Sequence, residues 1–105
     1  MHERDTVWFW LAGKERPGVV LEAQPDLVRV AYGTSEFHDW PRVEVHTRTR
    51  QGRAFPLREV TYFYGANTAW QLRRDLQRGQ AQCTWELLFE IRKLVEDYDA
   101  SVGEP

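Results

Sequence analysis

The sequence predicts a mainly β domain of the α+β kind, a small SH3-like antiparallel barrel with one C-terminal amphipathic helix. Three observations predict it. Short β-rich runs recur as far as Leu72, glycine and proline mark the turns between them, and a single helical stripe follows Thr84. At 105 residues the chain holds one core and one domain, yet is small enough that dimerisation adds useful burial. The domain is expected over residues 1–98, with a flexible tail at 99–105.

Residues 7–12 are apolar and aromatic, end at Gly13 and read as a central strand. A short charged turn leads into a second strand, 17–23. Gln24-Pro25-Asp26 then makes a tight connection into 27–32, where Val28, Val30 and Tyr32 alternate with Leu27, Arg29 and Ala31. Three strands so close in sequence form an antiparallel meander. Residues 33–41 read as a loop carrying Phe37, His38 and Trp40, and 43–49 alternate again. Gln51-Gly52-Arg53 turns the chain into 54–57, residues 60–64 form an aromatic strand, and 68–72 a last short one. The polar stretch 73–82 reads as a turn or a short helical piece. Thr84 is a natural N-cap for a helix whose stripe is Trp85, Leu87, Leu88, Ile91, Leu94, Val95 and Tyr98. Beyond it the apolar period is lost, and the tail is expected to fray.

Composition narrows the setting. No apolar stretch approaches the roughly 20 residues of a membrane span, and the mixed charges of residues 1–6 do not resemble a signal peptide. A cytoplasmic protein is expected. Cys83 is the sole cysteine, which forms neither an internal disulfide nor a cysteine-based zinc site and suits a reducing compartment. The formal net charge of −2 argues against a general nucleic-acid binder, but its distribution is uneven. Residues 42–58 hold five arginines, Arg42, Arg48, Arg50, Arg53 and Arg58, against the single acid Glu44. Such a segment serves either as a phosphate-contacting loop or as a solvated hairpin. Arginine outnumbers lysine 12 to 2, and its planar donor fork suits phosphate and carboxylate alike.

Two segments stand at strand ends, where small barrels build their sites. Arg16-Pro17 opens the second strand, and Tyr32-Gly33-Thr34-Ser35 closes the third. The order and spacing of these segments, with the helix that follows, resemble the MazF/PemK family of toxin endoribonucleases from about Val7 to the C-terminal helix. The resemblance implies a toxin of a toxin–antitoxin pair. Such a protein cleaves single-stranded RNA without a metal or other cofactor, acts as a homodimer and is neutralised by an acidic antitoxin. One departure is plain. Where many members carry an acid or glutamine and a second arginine, this chain has aromatic, uncharged residues from Val60 to Asn67. The alternative is therefore a catalytically inactive binding module on the same fold, a phage or plasmid inhibitor protein or a CcdB-like gyrase poison.

Metal-free RNA cleavage needs a base for the 2′-hydroxyl proton, an acid for the leaving oxygen and a cation for the charge that grows on phosphate. Arg16 is the candidate cation, and Thr34 and Ser35 are candidate donors to phosphate oxygens. Arginine before proline also serves as a solvated turn residue, and Thr-Ser also caps turns. His38 is the candidate base, because it follows Thr34-Ser35 and histidine is the side-chain type suited to proton transfer near neutral pH; its alternative is packing beside Trp40. His46 falls on an alternating strand and reads as a surface residue. Arg48, Arg50 and Arg53 are candidate phosphate contacts, and Tyr62 and Tyr64 candidate base-stacking faces. Asn67 either reads a base edge or shares a turn with Gly65. No histidine pair shows metal-ligand spacing, so no metal is expected.

Overall fold

Ala12 and Gly13 both take positive φ, 53° and 78°, and make the two-residue hairpin that joins β1 (Asp5–Leu11) to β2 (Lys14–Ala23). The computed structural model describes residues 1–46, 49 and 60–103. After the 24–26 turn come β3 (Leu27–Thr34), β4 (Arg42–Val45) and the long β5 (Thr61–Leu72). A 3₁₀ turn, Arg73–Asp75, leads to β6 (Gln77–Gln82), and α1 (Trp85–Gly103) follows. The strands pair antiparallel in the order β4-β5-β3-β2-β1-β6, so β4 and β6 stand at the two ends of the ladder. The chain is mainly β with one C-terminal helix, as expected. Among the described residues no helix is long and apolar enough to cross a membrane.

Strand alternation divides the core in two. Val19 and Leu21 of β2, Ala31 of β3 and Phe63 of β5 pack with Leu87, Leu88, Ile91 and Val95 of α1. Their neighbours Val20, Val28 and Val30 project to the other face and join Val7, Phe9 and Leu76. Both faces of the central strands are therefore covered. That explains why residues 19–21 form a continuous apolar run rather than a strict alternation. The α1 N-cap is Thr84, whose Oγ1 accepts the Leu87 N–H at 3.1 Å.

Several boundaries differ from the expected ones, each for a physical reason. The strands expected at 60–64 and 68–72 are one strand. Gly33 pairs with Phe63 and Ala31 with Thr68, so residues 64–67 bulge out opposite Tyr32 without ending β5. Residues 77–82, expected within a turn or helical piece, are the edge strand β6. Gln77, Arg78, Ala81 and Gln82 are exposed and the segment carries no apolar period, while the backbone pairs with β1. Asp5 and Thr6 reinforce that pairing, through bonds from Arg78 and Gln82 and from Thr6 Oγ1 to the Ala81 carbonyl. The helix continues through residues 99–103 of the expected tail, and β4 ends at Val45. The strand expected at 54–57 lies outside the described residues.

Candidate functional site

The two segments singled out in the sequence meet. Gly18 pairs with Tyr32, so two steps back along β2 and two steps forward along β3 bring Arg16 and Thr34 to the same end of the sheet. There they line a cleft of about 370 Å³ with Ser35, Glu15 and Glu36. Trp8, opposite Pro17 on β1, forms one wall, and Thr61, at the start of β5, another.

Arg16 is half-buried, with its guanidinium carbon 6.0 Å from the centre of the Tyr32 ring. Its Nε is fully buried and has no hydrogen-bond acceptor among the described residues. An arginine donor taken from water without a partner carries an unmet desolvation cost. The Thr34 hydroxyl accepts the Glu36 N–H at 3.1 Å, forming a turn that folds Glu36 back toward the cleft. That bond uses a lone pair and leaves the hydroxyl proton available for donation. Ser35 is exposed. Lys14 and Arg16 face Glu15 and Glu36 across the same space, so cation and carboxylate balance there.

His38 does not line this cleft. Its ring stacks on Trp40, with centroids 4.1 Å apart and planes 9° from parallel, and meets the Tyr64 ring edge-on at 5.5 Å. Packing beside Trp40 is thus the arrangement the structure contains. The connection to the cleft runs through Glu36, whose Oε1 lies 3.6 Å from His38 Nε2. Tyr64 is 2% exposed, and its hydroxyl ties down this loop. It accepts the His38 N–H at 2.6 Å and donates toward the Glu36 carbonyl at 3.1 Å. Tyr62 is half-buried and meets Phe37 edge-on at 5.6 Å, so both tyrosines lean on the 36–40 loop. Asn67 is half-buried in the β5 bulge.

Arg48, Arg50 and Arg53 lie outside the described residues. Arg42, from the same basic segment, bonds Glu44 at 3.1 Å and sits over the Phe37 ring at 4.5 Å. It serves the loop rather than a ligand. Glu36 and Trp8 are among the cleft residues that the sequence reading missed, with Lys14, Glu15, Val60 and Thr61. Glu36 directly follows Thr34-Ser35, and turn geometry alone directs it to the cleft; Trp8 becomes visible only once the β1–β2 register is known. No cluster of three His, Cys, Asp or Glu residues suited to a metal ion occurs among the described residues. Compared with family models and with curated proteins, the chain matches none.

Proposed function

We propose that this chain is the toxin of a toxin–antitoxin pair, a metal-independent endoribonuclease for single-stranded RNA of the MazF/PemK kind that its two strand-end segments resemble. One observation carries the reading: Arg16, with a buried and unpaired Nε, shares a cleft with Thr34 and Ser35. In such a reaction the 2′-oxygen attacks phosphorus, the bond to the 5′-oxygen breaks, and a 2′,3′-cyclic phosphate and a 5′-hydroxyl result. Arg16 opposes the charge that builds on the non-bridging oxygens, and the Thr34 and Ser35 hydroxyls donate to them. In this reading Glu36, with His38 3.6 Å behind it, takes the 2′-hydroxyl proton, and the leaving 5′-oxygen takes up a proton from solvent water. The enzyme of this reading works as a homodimer in the cytoplasm, and an acidic antitoxin segment binds the basic segment of residues 42–58.

The second reading is a binding module without catalysis, and the stacking of His38 on Trp40 favours it, since that ring is committed to packing. A single experiment separates the two. Purified protein is incubated with a long single-stranded RNA in EDTA, and cleavage and binding are measured together. The enzyme reading expects cleavage, lowered about 10²-fold or more by Arg16→Ala with the melting temperature nearly unchanged. Binding of RNA without cleavage moves the assignment to the module, and full activity in Arg16→Ala removes Arg16 from the site.

A further inference from the structure

β5 lies between β3 and β4 in the sheet, so the chain that leaves β3 at Thr34 must pass from one side of β5 to the other before β4 begins at Arg42. The crossing residues, 35–41, form no strand and need other partners for their backbone groups. Tyr64 supplies them. Its oxygen accepts the His38 N–H at 2.6 Å, and its single proton is shared between the Glu36 carbonyl at 3.1 Å and the His38 carbonyl at 3.3 Å. The ring packs against His38 and Trp40, with centroids 5.5 and 5.3 Å away, and the residue is buried, so the hydroxyl has little freedom to turn elsewhere. The backbone of Tyr64 is paired with Arg42 of β4, which makes the anchor part of the sheet.

That anchor bears on the Arg16 cleft through Glu36. The Glu36 N–H donates to the Thr34 hydroxyl at 3.1 Å and its carbonyl accepts from Tyr64, so both backbone groups are tied, one to β3 and one to β5. Its side chain is held far less. The carboxylate is 73% exposed, and its one close polar approach among the described residues is to His38 Nε2 at 3.6 Å. The direction in which Glu36 enters the cleft is therefore set by its backbone, and Tyr64, which does not line that cleft, fixes half of it.

We propose that Tyr64 is a positioning residue for RNA cleavage: its buried hydroxyl holds the 36–38 backbone so that the Glu36 carboxylate meets the 2′-hydroxyl. This role rests on the ribonuclease reading and adds to it a residue outside the cleft. Tyr64→Phe removes the oxygen and keeps the ring. Steady-state cleavage of a single-stranded RNA oligonucleotide is measured for the wild-type chain, Tyr64→Phe, Glu36→Gln and the double variant. Tyr64→Phe is expected to lower kcat about tenfold or more with KM nearly unchanged, since misplacing a reacting group costs rate rather than binding. In the Glu36→Gln background it should cost nothing further, because the group it positions is gone. Equal losses in both backgrounds would make Tyr64 a purely structural residue and overturn the proposal, as would full activity of either single variant. Amide hydrogen exchange of the wild-type chain needs no variant to fold: the His38 amide should be protected, and exchange at the rate of an open loop would remove the anchor itself. A wild-type chain that cleaves no RNA sinks the ribonuclease reading and this role with it, whereas a cleaving wild type with an indifferent Tyr64→Phe sinks this role alone.

Discussion

Asp5 is 2% exposed at the seam between β1 and β6, and three donors hold its carboxylate: the His2 N–H at 2.9 Å, Gln82 Nε2 at 3.1 Å and Arg78 Nη2 at 3.3 Å. Burial by itself would raise its pKa, but these bonds and the Arg78 charge outweigh it and hold the carboxyl below its ordinary 3.8. A depressed folded-state pKa contributes stability above the unfolded value, and the contribution disappears as pH falls through the folded value. Between about pH 5 and pH 3, stability should therefore fall with acid, and Asp5→Asn should flatten that dependence in urea unfolding at stepped pH. An unchanged slope would mean that the network contributes nothing to folding. Cys83 sits nearby with its backbone N–H bonded to the Arg4 carbonyl, and burial pushes its thiol up to about 11. At neutral pH it is a packed apolar group rather than a nucleophile.

Among the elements, α1 and the β5 bulge define each other. Ile91 is wholly buried between Leu87, Leu88 and Val95 on the face that meets Phe63. Ile91→Ala should cost about 2–5 kcal/mol, read from chemical unfolding, because the cavity left in a sheet–helix interface collapses only in part. Gly65→Ala tests the opposite fault. An added methyl has no room against Tyr98 and the Leu94 carbonyl, so a loss of about 1–3 kcal/mol is expected, together with amide shifts in the last turns of α1. An unperturbed melting temperature in that variant would show that the bulge and helix separate easily.

For the molecule as a whole, one loop connects two surfaces of different character. Glu36 faces the Arg16 cleft and Trp40 a largely apolar groove beside α1, and the Tyr64 hydroxyl anchors the residues between them. If single-stranded RNA is the ligand, log K should fall linearly with log salt, at about −0.7 per phosphate contacted. Replacing Arg48, Arg50 and Arg53 by glutamate should make that slope shallower by about 2, the share of three phosphates. A slope indifferent to the replacement would assign the basic segment to a protein interface.

Local chemistry determined much of this protein. The Thr84 cap, the helical stripe and the meander of β1 to β3 are legible because each follows from a periodicity or a turn residue within a few positions. The adjacency of Arg16 and Thr34 was only implied by the family resemblance, and the β2–β3 pairing is what brings those ends together. The rest depended on distant neighbours. Strand β6 has no apolar pattern because an exposed edge strand buries little, and only pairing with β1 makes it a strand. The fusion of two expected strands into β5 required β3 as a template across the bulge. His38 was chemically eligible as a base, yet its place was decided by the flat face of Trp40 and the Tyr64 hydroxyl, 26 residues away. Titration behaviour and motif are properties of the chain, but which side chain faces the cleft is set by the contacts that remain once the core has closed.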